Sequence, residues 1–206
     1  PYTPVYDVRE KFTLEKLMLE EGLGPNGAMI RAAELIEELV DDFLEAVEKS
    51  YAQIALVDTP GQMEIFVFRP AGPAIVKKAL ERARIVVVYV VDLSMGASAT
   101  DLATALSMAT AAKLRLGAPL VLALNKIDLV ENPEEVRRLV IDRDYFVEKL
   151  EEDEGFLADV AQRFAEVVEE GFSASRPILV SAKTMEGIPD LYDIIHESFC
   201  VCGDLT

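Results

Sequence analysis

The chain has 206 residues, 51% hydrophobic and 28% charged, which suits one domain with one sizeable core. Its 37 acidic and 20 basic side chains give a net charge of -17, which argues against direct nucleic-acid binding, because a phosphate backbone is met by a basic face. No apolar run nears the roughly 20 residues that span a bilayer, and no basic n-region or apolar h-region opens the chain; the two cysteines, Cys200 and Cys202, suit a reducing, cytoplasmic setting with neither a membrane partner nor zinc.

The chain opens on Pro1 and the extended-looking PYTPVYDVRE, in which Asp7 and Arg9 have the spacing of a surface ion pair. Gly24-Pro25-Asn26 then separates two helical patterns. Proline cannot continue a helix and restricts Gly24, and Asn26 reads as the N-cap of a helix starting near Gly27. From 27 to 49 the apolar set Ile36, Leu39, Val40, Phe43, Leu44 and Val47 follows helical periodicity, with Glu34, Glu37, Glu38, Asp41 and Glu45 between. Four β-branched runs come next: QIALVD (53–58), RIVVVYVVD (84–92), APLVLALNKID (118–128) and RPILVSAK (176–183). Nearly continuous apolar runs predict strands buried on both faces of a parallel sheet.

Helical patterns fall at about 70–82, 100–116, 133–150, 156–170 and 187–199. Strands alternating with helices predict an α/β, doubly wound, mostly parallel sheet with flanking helices, and ligands beyond the carboxyl ends of the strands. Residues 131–171 form a helical insertion broken by EEDEG (151–155), whose acidic runs read as solvated faces. His196, the only histidine, reads as structural on an apolar C-terminal helix. Met63, Phe66 and Phe68 suit either core or an interface.

The residues at the strand ends carry chemistry. Asp58-Thr59-Pro60-Gly61-Gln62 places a carboxylate at a strand end before a glycine turn, a pattern in which Asp58 holds Mg²⁺ through water and Gly61 offers a bare N–H to a γ-phosphate. Gln62 reads either as a residue that orients an attacking water or as a solvent-facing turn residue. In Asn125-Lys126-Ile127-Asp128, the aspartate can accept from the N1–H and exocyclic amine of guanine, a pair that adenine lacks. Asn125 can brace the neighbouring loops, Lys126 can lay its stem along the ring face, and the N–H of Ala182 in Ser181-Ala182-Lys183 can donate to guanine O6.

In this order, DTPGQ, NKID and SAK resemble the G3, G4 and G5 motifs of P-loop GTPases, and with Gly24-Pro25-Asn26 the chain is similar to the GPN-loop GTPases of archaea and eukaryotes. DVRE near the start and CGDLT at the end extend that resemblance over essentially the whole chain. It implies a single P-loop NTPase-like G domain over 1–206 that binds GTP with Mg²⁺ and hydrolyses it to GDP and phosphate. It implies a homodimer in which the GPN loop points at the phosphates of the partner subunit, with Asn26 donating to a γ-phosphate oxygen and accepting from the attacking water. A role in assembling or transporting a large complex, RNA polymerase in the eukaryotic relatives, is also implied.

The family's Walker A motif, G-x-x-x-x-G-K-[ST], has no counterpart, since no glycine in the chain is followed by lysine. The expectation is therefore an N-terminally incomplete G domain, inactive as residues 1–206 alone. The alternative is a non-hydrolysing guanine-nucleotide-binding or interaction module, and an upstream Walker A segment is what would distinguish the two.

Overall fold

The computed structural model describes residues 3–152 and 177–199. The chain divides into two compact units, Pro1–Ile85 with Arg115–Gly117, and Val86–Leu114 with Ala118–Thr206.

In the first unit, Asp7 caps a 3-10 turn over Val8–Glu10. Helix α1, Leu14–Glu21, starts where the Thr13 side chain accepts from the Lys16 N–H and stops at Gly22, whose φ of 65° a glycine adopts without steric cost. Helix α2 spans Pro25–Glu38 and α3 spans Val40–Lys49. The expected N-cap at Asn26 is corrected: Gly24 caps α2 and Pro25 opens its first turn, because a ring-locked φ is pre-organised for that position and the missing N–H costs nothing there. The single helix expected over 27–49 is also divided. At Leu39 (φ -90°, ψ 1°) the chain leaves helical geometry while its N–H is shared between the Leu35 and Ile36 carbonyls.

Small apolar clusters hold the described part of this unit. Leu17, Ala28 and Ala32 are buried beneath Phe12, Met18, Leu23 and Leu35, and Val40, Leu44 and Ala79 beneath Phe43, Ile75 and Ile85. The short α4, Met63–Phe66, leads into α5, Ala71–Leu80. Gly72 lies so close to the Phe66 carbonyl that a Cβ would sit 1.7 Å from its oxygen.

The strand expected at 53–58 does not form. Every residue from 51 to 60 is exposed, Leu56 at 94%, and none of them joins the described sheet. An apolar run becomes a strand only when a ladder partner satisfies its backbone, so composition alone is insufficient.

The second unit holds a parallel sheet of three strands among the described residues, β1 (Val87–Asp92), β2 (Leu120–Asn125) and β3 (Ile178–Val180), in that spatial order. Register runs from Val87↔Leu120 to Asp92↔Asn125, and from Ala123↔Ile178 to Asn125↔Val180. Paired on both sides, β2 is buried from Leu120 to Leu124, whereas Val88 and Val90 of β1 face solvent. Helix α6, Ala99–Leu116, connects β1 to β2. The pattern over 133–150 resolves into α7 (Pro133–Ile141) and α8 (Arg143–Glu152), parted at Asp142, whose Oδ1 accepts from the Tyr145 N–H and so restarts the helix.

Helix α9, Ile188–Phe199, sets Ile188, Leu191, Ile194 and Ile195 on one face against Val121, Ala123, Ile178 and Val180. Burial of such side chains contributes about 1.5–3 kcal/mol each when complete, and this packing fixes the β3–α9 connection. The expected helix over 156–170, most of EEDEG and both cysteines lie outside the described residues. Among the described residues, no helix is long and apolar enough to cross a membrane.

Candidate functional site

The sheet register brings the carboxyl ends of β1, β2 and β3 together, and the loops leaving them are built from side-chain bonds. After β2, Lys126 takes a left-handed conformation (φ 68°, ψ 35°) that turns the chain into a 3-10 turn over Ile127–Leu129, anchored by buried Ile127. Asp128 belongs to this turn. Its Oδ1 accepts from the Ser181 hydroxyl at 2.6 Å, and it makes no other side-chain hydrogen bond among the described residues. Ser181 is 0% exposed; its Oγ also accepts from the Thr184 N–H at 3.1 Å, and its own N–H donates to the Glu186 carbonyl at 2.9 Å.

The Ala182 N–H donates to Asn125 Oδ1 at 3.2 Å. Asn125 thus braces the loop after β3, and the Ala182 donor expected to reach guanine O6 is engaged with it. Lys126 Nζ donates to Asp92 Oδ2 at 2.5 Å, and Asp92 Oδ1 accepts from the Ser94 N–H at 3.0 Å and the Ser94 hydroxyl at 2.6 Å. The hydrogen bond from Lys126, followed by that from Ser94, holds the Asp92 carboxyl down at about 2.

The loop from Ser181 to Gly187 is closed at its far end as well. Gly187 has φ 68°, and a Cβ there would lie 2.0 Å from the Leu179 carbonyl oxygen, so a side chain is excluded by both conformation and space. Arg137 of α7 forms a short ion pair with Glu186, tying the helix after the NKID turn to the loop after β3. Lys183 is exposed.

Gly24, Pro25, Asn26, Asp58, Gly61 and Gln62 belong to the first unit. Asn26 is exposed in the first turn of α2 and makes no side-chain hydrogen bond among the described residues. Gln62 is the exposed N-cap of α4; its carbonyl accepts from the Ile65 N–H and its side chain does not cap. Asp58 and Gly61 are exposed in irregular chain, where a Cβ on Gly61 would meet nothing within 4 Å. No group of three or more His, Cys, Asp or Glu that could hold a metal gathers among the described residues. One carboxylate fits Mg²⁺ only in the way that ion often binds, keeping several waters and taking further ligands from phosphates.

Asp7 and Arg9 form the surface pair their spacing suggests: Arg9 Nε lies 2.9 Å from Oδ1 and Nη2 2.5 Å from Oδ2, which holds the Asp7 carboxyl at about 2. His196 is exposed beside Tyr192 on α9. Met63 and Phe66 are half-buried and Phe68 is exposed.

Asp92, Arg137 and Glu186 join the site without having been expected there. The sequence does carry a signal for Asp92, because it ends a predicted strand as Asp58 and Asn125 are expected to, and Asp-x-Ser favours a local turn. For the Arg137–Glu186 pair, 49 residues apart, no local pattern exists.

A family model described as "conserved hypothetical ATP binding protein" matches residues 1–201. A GPN-loop GTPase of Pyrococcus abyssi is 36% identical over 211 residues, covering 100% of this chain and 83% of that protein. GPN-loop GTPase 1 of Dictyostelium discoideum is 30% identical over 197 residues, covering 95% of this chain and 50% of its own length. That of Saccharomyces cerevisiae is 25% identical over 209 residues, covering 96% and 54%. The chain therefore spans about half the length of these two eukaryotic relatives. Among solved structures, the apo form of a GTPase from Pyrococcus abyssi matches with a TM-score of 0.84 at 33% identity, covering 98% of this chain and 82% of that one. The parallel sheet with flanking helices is a P-loop NTPase-like α/β fold.

Proposed function

Since the chain belongs to the GPN-loop GTPase family, we propose that its protein binds GTP with Mg²⁺ and hydrolyses it to GDP and phosphate as a homodimer. The observation that carries this reading is the Asp128 carboxylate, steered by buried Ser181 through one oxygen while the other has no partner among the described residues. A fixed carboxylate at a strand-end turn is complementary to two adjacent donors, which guanine has and adenine lacks, so the site favours GTP although the matching family description names ATP.

The remaining roles rest on residue chemistry. The Lys126 stem covers one face of the base, and Asn125 keeps the two base-side loops in register. The Gly61 N–H is offered to the γ-phosphate, Gln62 orients the attacking water, and Asn26 reaches the phosphates of the partner subunit with an amide that both donates and accepts. Asp58 is the residue that would hold Mg²⁺, through water, and the ion would supply positive charge to the phosphate oxygens. Assembly or transport of a large complex such as RNA polymerase is the cellular role that the family suggests.

Turnover of GTP and ATP by the full-length protein with Mg²⁺, beside its sedimentation behaviour, tests the reading. Hydrolysis of GTP alone by a dimer is expected. Hydrolysis of ATP at a similar rate contradicts the base assignment, and tight GTP binding without turnover favours the non-hydrolysing module.

A further inference from the structure

We propose that Asp92 is a positioning residue for nucleotide recognition: fixed at the end of β1 by Ser94, it holds the Lys126 ammonium and so sets the lysine stem as a platform for the base. This rests on the reading of the Asn125–Asp128 turn as the guanine site.

The bonds give the direction of control. Asp92 is the last residue of β1, opposite Asn125 in the sheet register, so its backbone is placed by the ladder. Its Oδ1 accepts two bonds from Ser94, one from the backbone N–H and one from the hydroxyl, which sets the plane of the carboxylate locally. Only then does Oδ2 meet Lys126 Nζ. The carboxylate is anchored close to its own backbone, while the ammonium ends a four-carbon stem, so the carboxylate dictates where the stem goes.

Lys126 is constrained at its other end as well. Its left-handed backbone, uncommon for a residue with a side chain, commits the main chain to the turn that presents Asp128. With both ends fixed, the methylenes between them form a short bridge across the ends of β1 and β2. The side chains of Lys126 and Asp92 remain 44% and 33% exposed, so the bridge is open to a ligand. A lysine left free would have to be ordered when the base arrives, and ordering a rotamer-rich side chain weakens binding. An ammonium already paired with a carboxylate also presents little net charge, which suits a face that stacks on a ring and not one that draws in phosphate. Solvent-accessible ion pairs contribute little to folding, so the effect of losing this one belongs in binding.

The test is titration of the full-length protein with a fluorescent GDP. Asp92→Asn keeps the shape and the acceptor for Ser94 but turns an amide donor toward the ammonium. It is expected to weaken GDP about tenfold, the equivalent of about 1.4 kcal/mol, while the preference for GDP over inosine diphosphate, set by Asp128, stays at the wild-type value. Lys126→Ala should weaken GDP similarly, and Asp92→Asn added to it should cost nothing more, the non-additivity of residues acting as one unit. Ser94→Ala, which frees the carboxylate without altering its charge, should weaken GDP about threefold in the wild type and not in Lys126→Ala, and serves if Asp92→Asn does not fold. Wild-type affinity in Asp92→Asn or Ser94→Ala, or full additivity with Lys126→Ala, overturns the proposal. A wild-type protein that does not prefer GDP to inosine diphosphate overturns the base-site reading itself, and the proposal with it.

Discussion

The Ser181 hydroxyl donates to Asp128 Oδ1 at 2.6 Å, joining the turn after β2 to the loop after β3 across 53 residues of sequence. Ser181 is buried and also accepts from the Thr184 N–H, so one small side chain both steers the carboxylate and closes the loop. Ser181→Ala removes both bonds and leaves partners under-satisfied, at a cost of about 1–3 kcal/mol in stability. GDP affinity of the full-length protein should fall about tenfold as Asp128 loses its orientation. Chemical denaturation and nucleotide titration measure the two effects, and unchanged affinity in a folded variant contradicts the steering role.

Asn26 stands exposed in the first turn of α2, with capping supplied by the backbone at Gly24. Asn26→Ala should therefore leave helix stability nearly unchanged. Turnover of GTP by the full-length protein should slow about 10²-fold, the lower range for losing one transition-state donor, with a much smaller change in nucleotide affinity. Equal losses in affinity and turnover, or a lowered melting temperature, would assign Asn26 a structural role instead.

Acid should act on Asp92 in a defined window. Its folded-state value, about 2, lies below its ordinary 3.8 because Lys126 and Ser94 hydrogen-bond to the charged form. A depressed value in the folded state means that the linked stability, small for so exposed a pair, is fully present above about pH 4 and is lost as pH falls towards 2. Asp7, held at about 2 by Arg9, has the same sign. Carboxyl NMR titration should find Asp92 ionised until close to pH 2 in the wild type and moved upward in Lys126→Ala. An ordinary aspartate titration in the wild type contradicts the bond.

The corner where β1, β2 and β3 end is legible in the sequence because its loops leave runs whose burial a sheet can satisfy. Val121 and Ala123 must lie inside, and the residues after them then fall at the carboxyl edge. QIALVD is a similar apolar run, yet it stays irregular and exposed because strand formation depends on a neighbour that its own residues do not encode. Uninterrupted apolar periodicity hides the breaks at Leu39 and Asp142, which interrupt the backbone without disturbing the pattern. Asn26 reads as a cap because its propensity for that position is high, while Pro25 fixes the helix start two residues earlier. The Asp92–Lys126 and Arg137–Glu186 pairs are tertiary and have no periodic signature.

No glycine among the 206 residues is followed by lysine, so they carry no Walker A loop. Base contacts do not distinguish GTP from guanosine, and the N–H groups and lysine of a Walker A loop are what would. The 206-residue chain should bind GTP no more tightly than guanosine by calorimetry. Micromolar GTP affinity that depends on Mg²⁺ would mean that other residues of this chain hold the phosphates.

The central claim is that Asp128 reads guanine, and exchange of its carboxylate for an amide tests it most directly. Asp128→Asn replaces acceptor capacity with a donor that matches the O2 of xanthine. Titration of the full-length variant with GDP and xanthosine diphosphate should show GDP weakened at least about 10²-fold and xanthosine diphosphate bound in its place, since an unpaired polar edge is rejected strongly. GDP bound as tightly as by the wild type, with no gain for xanthosine diphosphate, would contradict the account.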